Sequence, residues 1–102
     1  MVGPSNVIIG MRYRSRTEII TQILEIANDC SSSFGNGGVT KTRIMYKAYL
    51  GYNQSNEYLT LLTESDLLRY DGQKHTYKTT EKGLRFLKAY AQIDQLIKPQ
   101  EI

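Results

Sequence analysis

The stretch from Thr40 to Leu87, TKTRIMYKAYLGYNQSNEYLTLLTESDLLRYDGQKHTYKTTEKGLRFL, constrains the fold more than any other part of the chain. Its apolar positions keep helical spacing over Ile44, Met45 and Ala48, with Leu50 following, and again over Tyr58, Leu59 and Leu62. They shorten to strand-like runs on either side of Asp71-Gly72 and return to helical spacing after Thr80. Gly51, between the first two segments, supplies a tight turn because a missing side chain relaxes the backbone limits. The pattern predicts a helix capped by Thr40, a turn at Gly51, a helix over 52–65, and strands at 67–70 and 75–78 joined by an Asp71-Gly72 hairpin turn. A last helix follows.

Upstream, Ser15 and Glu18 have the S-x-x-E spacing of a capping box, in which each side chain caps the other's backbone N–H. Ile19, Ile20, Ile23, Leu24, Ile26 and Ala27 follow at helical spacing, so a helix is predicted from Ser15 to Asp29 or Cys30. The Ser/Gly-rich residues 31–38 carry no packing stripe and read as a mobile loop, and Val39 as a brief strand. Residues 1–11 read as a disordered extension.

The last helix is capped by Thr80 and stopped by Pro99. It carries two apolar faces. Leu84, Leu87 and Ala91 can close a core, whereas Phe86, Tyr90, Ile93 and Ile97 are spaced 4, 3 and 4, a heptad seam. One small domain cannot cover both, so a partner chain is the economical explanation.

Helix, turn, helix, hairpin, helix is the order of a winged helix-turn-helix, whose second helix commonly enters the DNA major groove. The expected fold is mainly α with a small β-hairpin. The DNA-binding domain spans 12–80, a C-terminal helix for core closure and coiled-coil dimerisation spans 81–98, and a tail spans 99–102. At 102 residues the chain holds one core.

A net charge of +3 is too small to favour nucleic acid alone. Its distribution says more, because three stretches lack acids: 1–17 with Arg12, Arg14 and Arg16, 30–56 with Lys41, Arg43 and Lys47, and 72–80 with Lys74, His75 and Lys78. The winged-helix order brings these together. Lys41, Thr42, Arg43 and Lys47 then cross the phosphate backbone; Arg14 and Arg16 form a basic arm; Lys74, His75 and Lys78 form the wing. For each of these, ordinary solvated charge is the competing reading. Tyr52, Asn53, Gln54, Asn56 and Glu57 crowd the start of the third helix. Asn and Gln can bond adenine edges bidentately and Glu can accept from cytosine N4, but such residues are also ordinary caps and surface. Tyr46, Tyr49, Tyr52 and Tyr58 suit packing at the core edge, with hydroxyls in water, better than stacking on single-stranded bases.

The segments SRTEIITQILEIAN, TKTRIMYKAYLGYNQSNEYLTLL and LLRY…YKTTEKGLRFL resemble the small archaeal winged-helix DNA-binding regulators, ten-kilodalton proteins that dimerise through an antiparallel coiled coil of their C-terminal helices. The resemblance covers residues 12–98. It implies a homodimer, favours base contact over mere capping for the third helix, and places the protein in the cytoplasm on the nucleoid. The sequence departs from that family in a longer Ser/Gly loop, in a short coiled-coil segment, and at Ser55, where a leucine is common.

Other classes find little support. Cys30 is the only cysteine, so an intrachain disulfide, a zinc ribbon and a CxxC redox motif are excluded, and no Ser or Cys nucleophile is set beside His75, the only histidine. GNGG at 35–38 lacks the Lys-Ser/Thr of a phosphate-binding loop. No enzyme activity, cofactor, metal or membrane partner is expected. The alternative function is a winged helix that binds another protein through the last helix.

Overall fold

The computed structural model of the chain describes residues 14–34 and 38–97. The N-terminal extension with Arg12 and Tyr13, residues 35–37 of the Ser/Gly loop, Pro99 and the tail lie outside the described residues. The elements are α1 (Arg16–Phe34), β1 (Val39–Thr40), α2 (Lys41–Ala48), α3 (Tyr52–Glu64), β2 (Leu68–Asp71), β3 (Thr76–Thr79) and α4 (Glu81–Ile97).

The capping box forms as the spacing predicts: the Glu18 backbone N–H donates to Ser15 Oγ at 3.1 Å, and the Ser15 N–H to Glu18 Oε1 at 2.9 Å. The far end of α1 differs from expectation, because the helix continues past Cys30 through the serines to Phe34. Serine lowers helix propensity by only about 0.5 kcal/mol relative to alanine, too little to stop a helix that is already propagating. Ile19, Ile23, Leu24 and Ala27 of α1 are buried against Val39, Ile44, Ala48, Leu50, Leu59, Leu62 and Leu68. The buried core thus draws on α1, β1, α2, α3 and β2, while β3 adds Tyr77 and α4 adds Phe86 and Leu87 at its edge.

The sheet has the order β1-β3-β2, antiparallel throughout, with Val39 opposite Tyr77 and Leu68 opposite Thr79. Gly38 enters β1 at φ +99, and a Cβ there would lie 2.4 Å from Thr76 Oγ1, so only glycine lets β1 reach β3. Each strand of the hairpin begins and ends one residue later than expected. Asp71 ends β2 and pairs with Thr76, so it belongs to the strand and the loop is the four residues 72–75. Asp71 Oδ1 accepts the Gln73 N–H at 2.9 Å and the Lys74 N–H at 3.3 Å. The left-handed residue is His75, at φ 56, which therefore stands in the turn and not in the returning strand.

At the start of α4, Thr80 Oγ1 accepts the Gly83 N–H at 3.0 Å and donates to the Asp66 carbonyl at 2.7 Å. Gly83 is buried, and it sets the inward face of the helix. Phe86, Leu87 and Tyr90, three, four and seven residues on, share that face and are half-buried. The expected core face of Leu84, Leu87 and Ala91 is therefore corrected: Leu84 is 43% exposed and Ala91 is exposed. Phe86 and Tyr90 stack on each other with centroids 6.5 Å apart. Beyond them Ile93 and Leu96 are exposed, and of Ile97 only the backbone is described.

Candidate nucleic-acid interface

The turn between α2 and α3 is built differently from the sequence expectation. Tyr49, not Gly51, takes the left-handed conformation, at φ 56, and its N–H closes α2 on the Met45 carbonyl. Gly51 has φ −75 and open space where a side chain would be, so it serves only as the start of α3. A cation meets the carbonyls that this helix end leaves open. The Arg14 guanidinium donates to the Ala48 carbonyl at 2.8 Å and the Tyr49 carbonyl at 3.4 Å, and it also bonds Gln22 Oε1. Arg14 is thus engaged by the carbonyl end of α2.

Thr40 caps α2 through the Arg43 N–H at 3.2 Å. Thr42, Arg43 and Lys47 lie exposed along this helix, without a side-chain partner among the described residues. Lys41 is different. Its ammonium sits 3.8 Å from the centre of the Tyr52 ring and donates to Asn56 Oδ1, tying α2 to the first turns of α3. The Asn56 amide, with the Lys41 charge behind it, holds the Tyr52 phenol below the usual tyrosine pKa. Asn53, Gln54 and Glu57 are exposed on the neighbouring face of α3, and among the described residues no hydrogen bond or ion pair engages them. Arg16 lies 5.9 Å from the Tyr58 ring and joins Gln54 and Glu57 around a small surface pocket of about 140 Å³.

In the hairpin, Lys74, His75 and Lys78 are exposed. The Tyr70 hydroxyl and His75 Nδ1 share a hydrogen bond of 3.0 Å, and Tyr70 packs on Tyr77 with centroids 4.8 Å apart. Burial, and then the neighbouring Tyr70, raise the Tyr77 pKa. The strand register adds a residue that the sequence reading passed over, because Arg69 stands directly opposite Lys78 and both are exposed. Like charges facing each other across a ladder are unfavourable without an anion nearby. Arg69 falls among acids in the linear sequence, so only a correct hairpin register could have revealed it.

The tyrosine reading is corrected at three positions. Tyr46 and Tyr49 are 82% and 86% exposed and Tyr52 is 63% exposed, while Tyr58 alone packs against the core. Tyr46 and Tyr49 instead border a groove of about 770 Å³, floored by Ile26, Met45 and Leu50. Among the described residues no three His, Cys, Asp or Glu side chains are grouped to hold a metal, and no helix is long and apolar enough to cross a membrane.

A three-stranded wing behind a helix–turn–helix pair is the defining arrangement of winged helix-turn-helix domains. The family model for the winged helix-turn-helix matches residues 13–98, and the chain belongs to that family. Among solved structures it is similar to Sso10a-2, a DNA-binding protein from Sulfolobus solfataricus, with a TM-score of 0.58 and 21% identity, covering 85% of this chain and 100% of that one. No curated protein matches the sequence.

Proposed function

We propose that the chain is a double-stranded DNA-binding protein acting as a homodimer, a transcriptional regulator or nucleoid-type protein of the cytoplasm. In this reading α3 enters the major groove with Asn53, Gln54 and Glu57 toward the base edges. Thr42, Arg43 and Lys47 of α2 lie on phosphates, Arg16 serves as the basic arm, and Arg69, Lys74, His75 and Lys78 of the hairpin lie against the flanking backbone. The observation that carries it is the row of exposed, unengaged polar side chains on α3 beside exposed cations on α2. Sso10a-2, to which the fold is similar, is a DNA-binding protein, which points the same way.

The homodimer rests on the exposed Ile93 and Leu96 at the projecting end of α4, which nothing in one copy covers among the described residues. The same apolar end supports the second reading, a module that binds another protein. A duplex titration across salt concentrations tests both. If a dimer neutralises roughly six to ten phosphates, log affinity falls with log salt at a slope of about −5 to −9. Salt-independent association, or none at low salt, overturns the DNA reading, and a stable heteropartner in that case establishes the protein-binding one.

A further inference from the structure

Three of the residues at the start of α2 and α3 do not stand free. Lys41 has only donors, so the atom of Asn56 that faces its ammonium is the amide oxygen Oδ1. The same amide lies close enough to Tyr52 to hold its phenol below the usual tyrosine range. Tyr52, in turn, lies under the Lys41 ammonium, 3.8 Å from ring centre to nitrogen. Asn56 is half-buried, whereas Asn53, Gln54 and Glu57 beside it are exposed. Bidentate recognition of adenine needs an amide whose oxygen and nitrogen are both unengaged, one to accept from N6 and one to donate to N7. Asn53 and Gln54 meet that requirement and Asn56 does not.

Building on the DNA-binding reading above, we infer that Lys41, Tyr52 and Asn56 form a clamp between α2 and α3 that positions the third helix, and that base discrimination belongs to Asn53 and Gln54. Lys41 and Asn56 are then positioning residues: they set the angle at which the reading side chains are presented and contact no base edge. Two charged or polar groups from different helices are held in one geometry before any duplex arrives, which lowers the ordering needed on binding.

The test selects bound duplexes from a randomised pool with the wild type and with Asn53→Ala, Gln54→Ala, Asn56→Ala, Lys41→Met and Lys41→Arg. Lys41→Met and Asn56→Ala are expected to keep the wild-type base preferences while weakening all duplexes by a common factor of about three to thirty. Lys41→Arg, which can still donate to Oδ1 and stack on the ring, is expected to restore affinity. Asn53→Ala and Gln54→Ala are expected to relax preference at individual positions. In the free protein, NMR titration of Tyr52 should show its low pKa returning to the ordinary tyrosine range in Lys41→Met and Asn56→Ala, a readout independent of DNA. Loss of preference at one base position in Asn56→Ala, with Lys41→Met unaffected, overturns the clamp. A wild type that binds all sequences alike overturns the assignment of readers while leaving DNA binding in place. A wild type that binds no duplex at low salt, with the Tyr52 titration behaving as described, removes the DNA reading and leaves the clamp.

Discussion

Gly83 of α4 lies so close to the Leu67 carbonyl that a Cβ added there would stand 2.5 Å from the oxygen and 2.6 Å from Thr79 Cγ2. The oxygen is fixed in place, since it also accepts the Thr80 N–H at 3.1 Å and the Thr80 hydroxyl at 3.2 Å. Alanine is the better helix former by about 1 kcal/mol, yet the overpacking here costs about 1–3 kcal/mol or more, so the clash wins. Gly83→Ala is expected to lower the urea midpoint. An unchanged or higher midpoint would show that α4 can slide away from β2 without loss.

Arg14 is expected to behave as a helix cap. Arg14→Ala removes the donor to the Ala48 and Tyr49 carbonyls and should destabilise the fold by about 1–3 kcal/mol in chemical denaturation. The salt slope of duplex binding should stay at the wild-type value. A slope reduced by about one would return Arg14 to the phosphate contacts.

Ser55 is fully buried on the inner face of α3, and its hydroxyl is the buried side-chain oxygen without a hydrogen-bond partner among the described residues. An unpaired buried hydroxyl is unfavourable by about 1 kcal/mol or more, and alanine also has the higher helix propensity. Ser55→Ala should therefore raise the melting temperature by about 4 °C or more. A fall in melting temperature would mean that the hydroxyl has a partner in solution.

The two shifted tyrosines should titrate in a fixed order. Tyr52, held down by Asn56 and Lys41, loses its proton before Tyr77, whose burial holds it up. For Tyr77 the folded pKa lies above the unfolded value near 10, so its contribution to stability is full below that pH and declines as pH rises through the folded pKa. For Tyr52 the sign is opposite, and its contribution is present only above the unfolded value and absent below the folded one. Site-resolved NMR titration checks the order, and a Tyr77 that ionises first contradicts it.

Ile93→Glu combined with Leu96→Glu tests the self-association proposed for α4. Both side chains are exposed, so the monomer fold should survive with unchanged circular dichroism, while light scattering should show the mass halving if the wild type is a dimer. Tyr90 is a poorer choice than its heptad position suggests, because its ring already packs on Phe86. A mass unaltered by the double change moves the interface elsewhere.

The parts legible in the sequence are those decided within a few residues. Ser15 with Glu18, Thr40 with Arg43 and Thr80 with Gly83 all cap as their spacing requires. The inward stripes of α1, α2 and α3 follow the helical period. What escaped depends on distant partners. The carbonyl of the left-handed Tyr49 is met by Arg14, from 35 residues away. The face of α4 is chosen by the contact of Gly83 with Leu67, and Arg69 is matched to Lys78 only through the register of the hairpin. Asn56 looked like a reader because composition shows an amide, while its engagement by Lys41 is a tertiary fact.

Thr40 is at once the last residue of β1, paired with Thr76, and the residue that caps α2. Strand and helix therefore meet with no spacer between them. The strand paired with the hairpin is thus joined to α2 by a single peptide linkage, and α2 to α3 through Lys41. Under the proposed DNA-binding reading, the position of the hairpin and the tilt of α3 would therefore be set together, through Thr40.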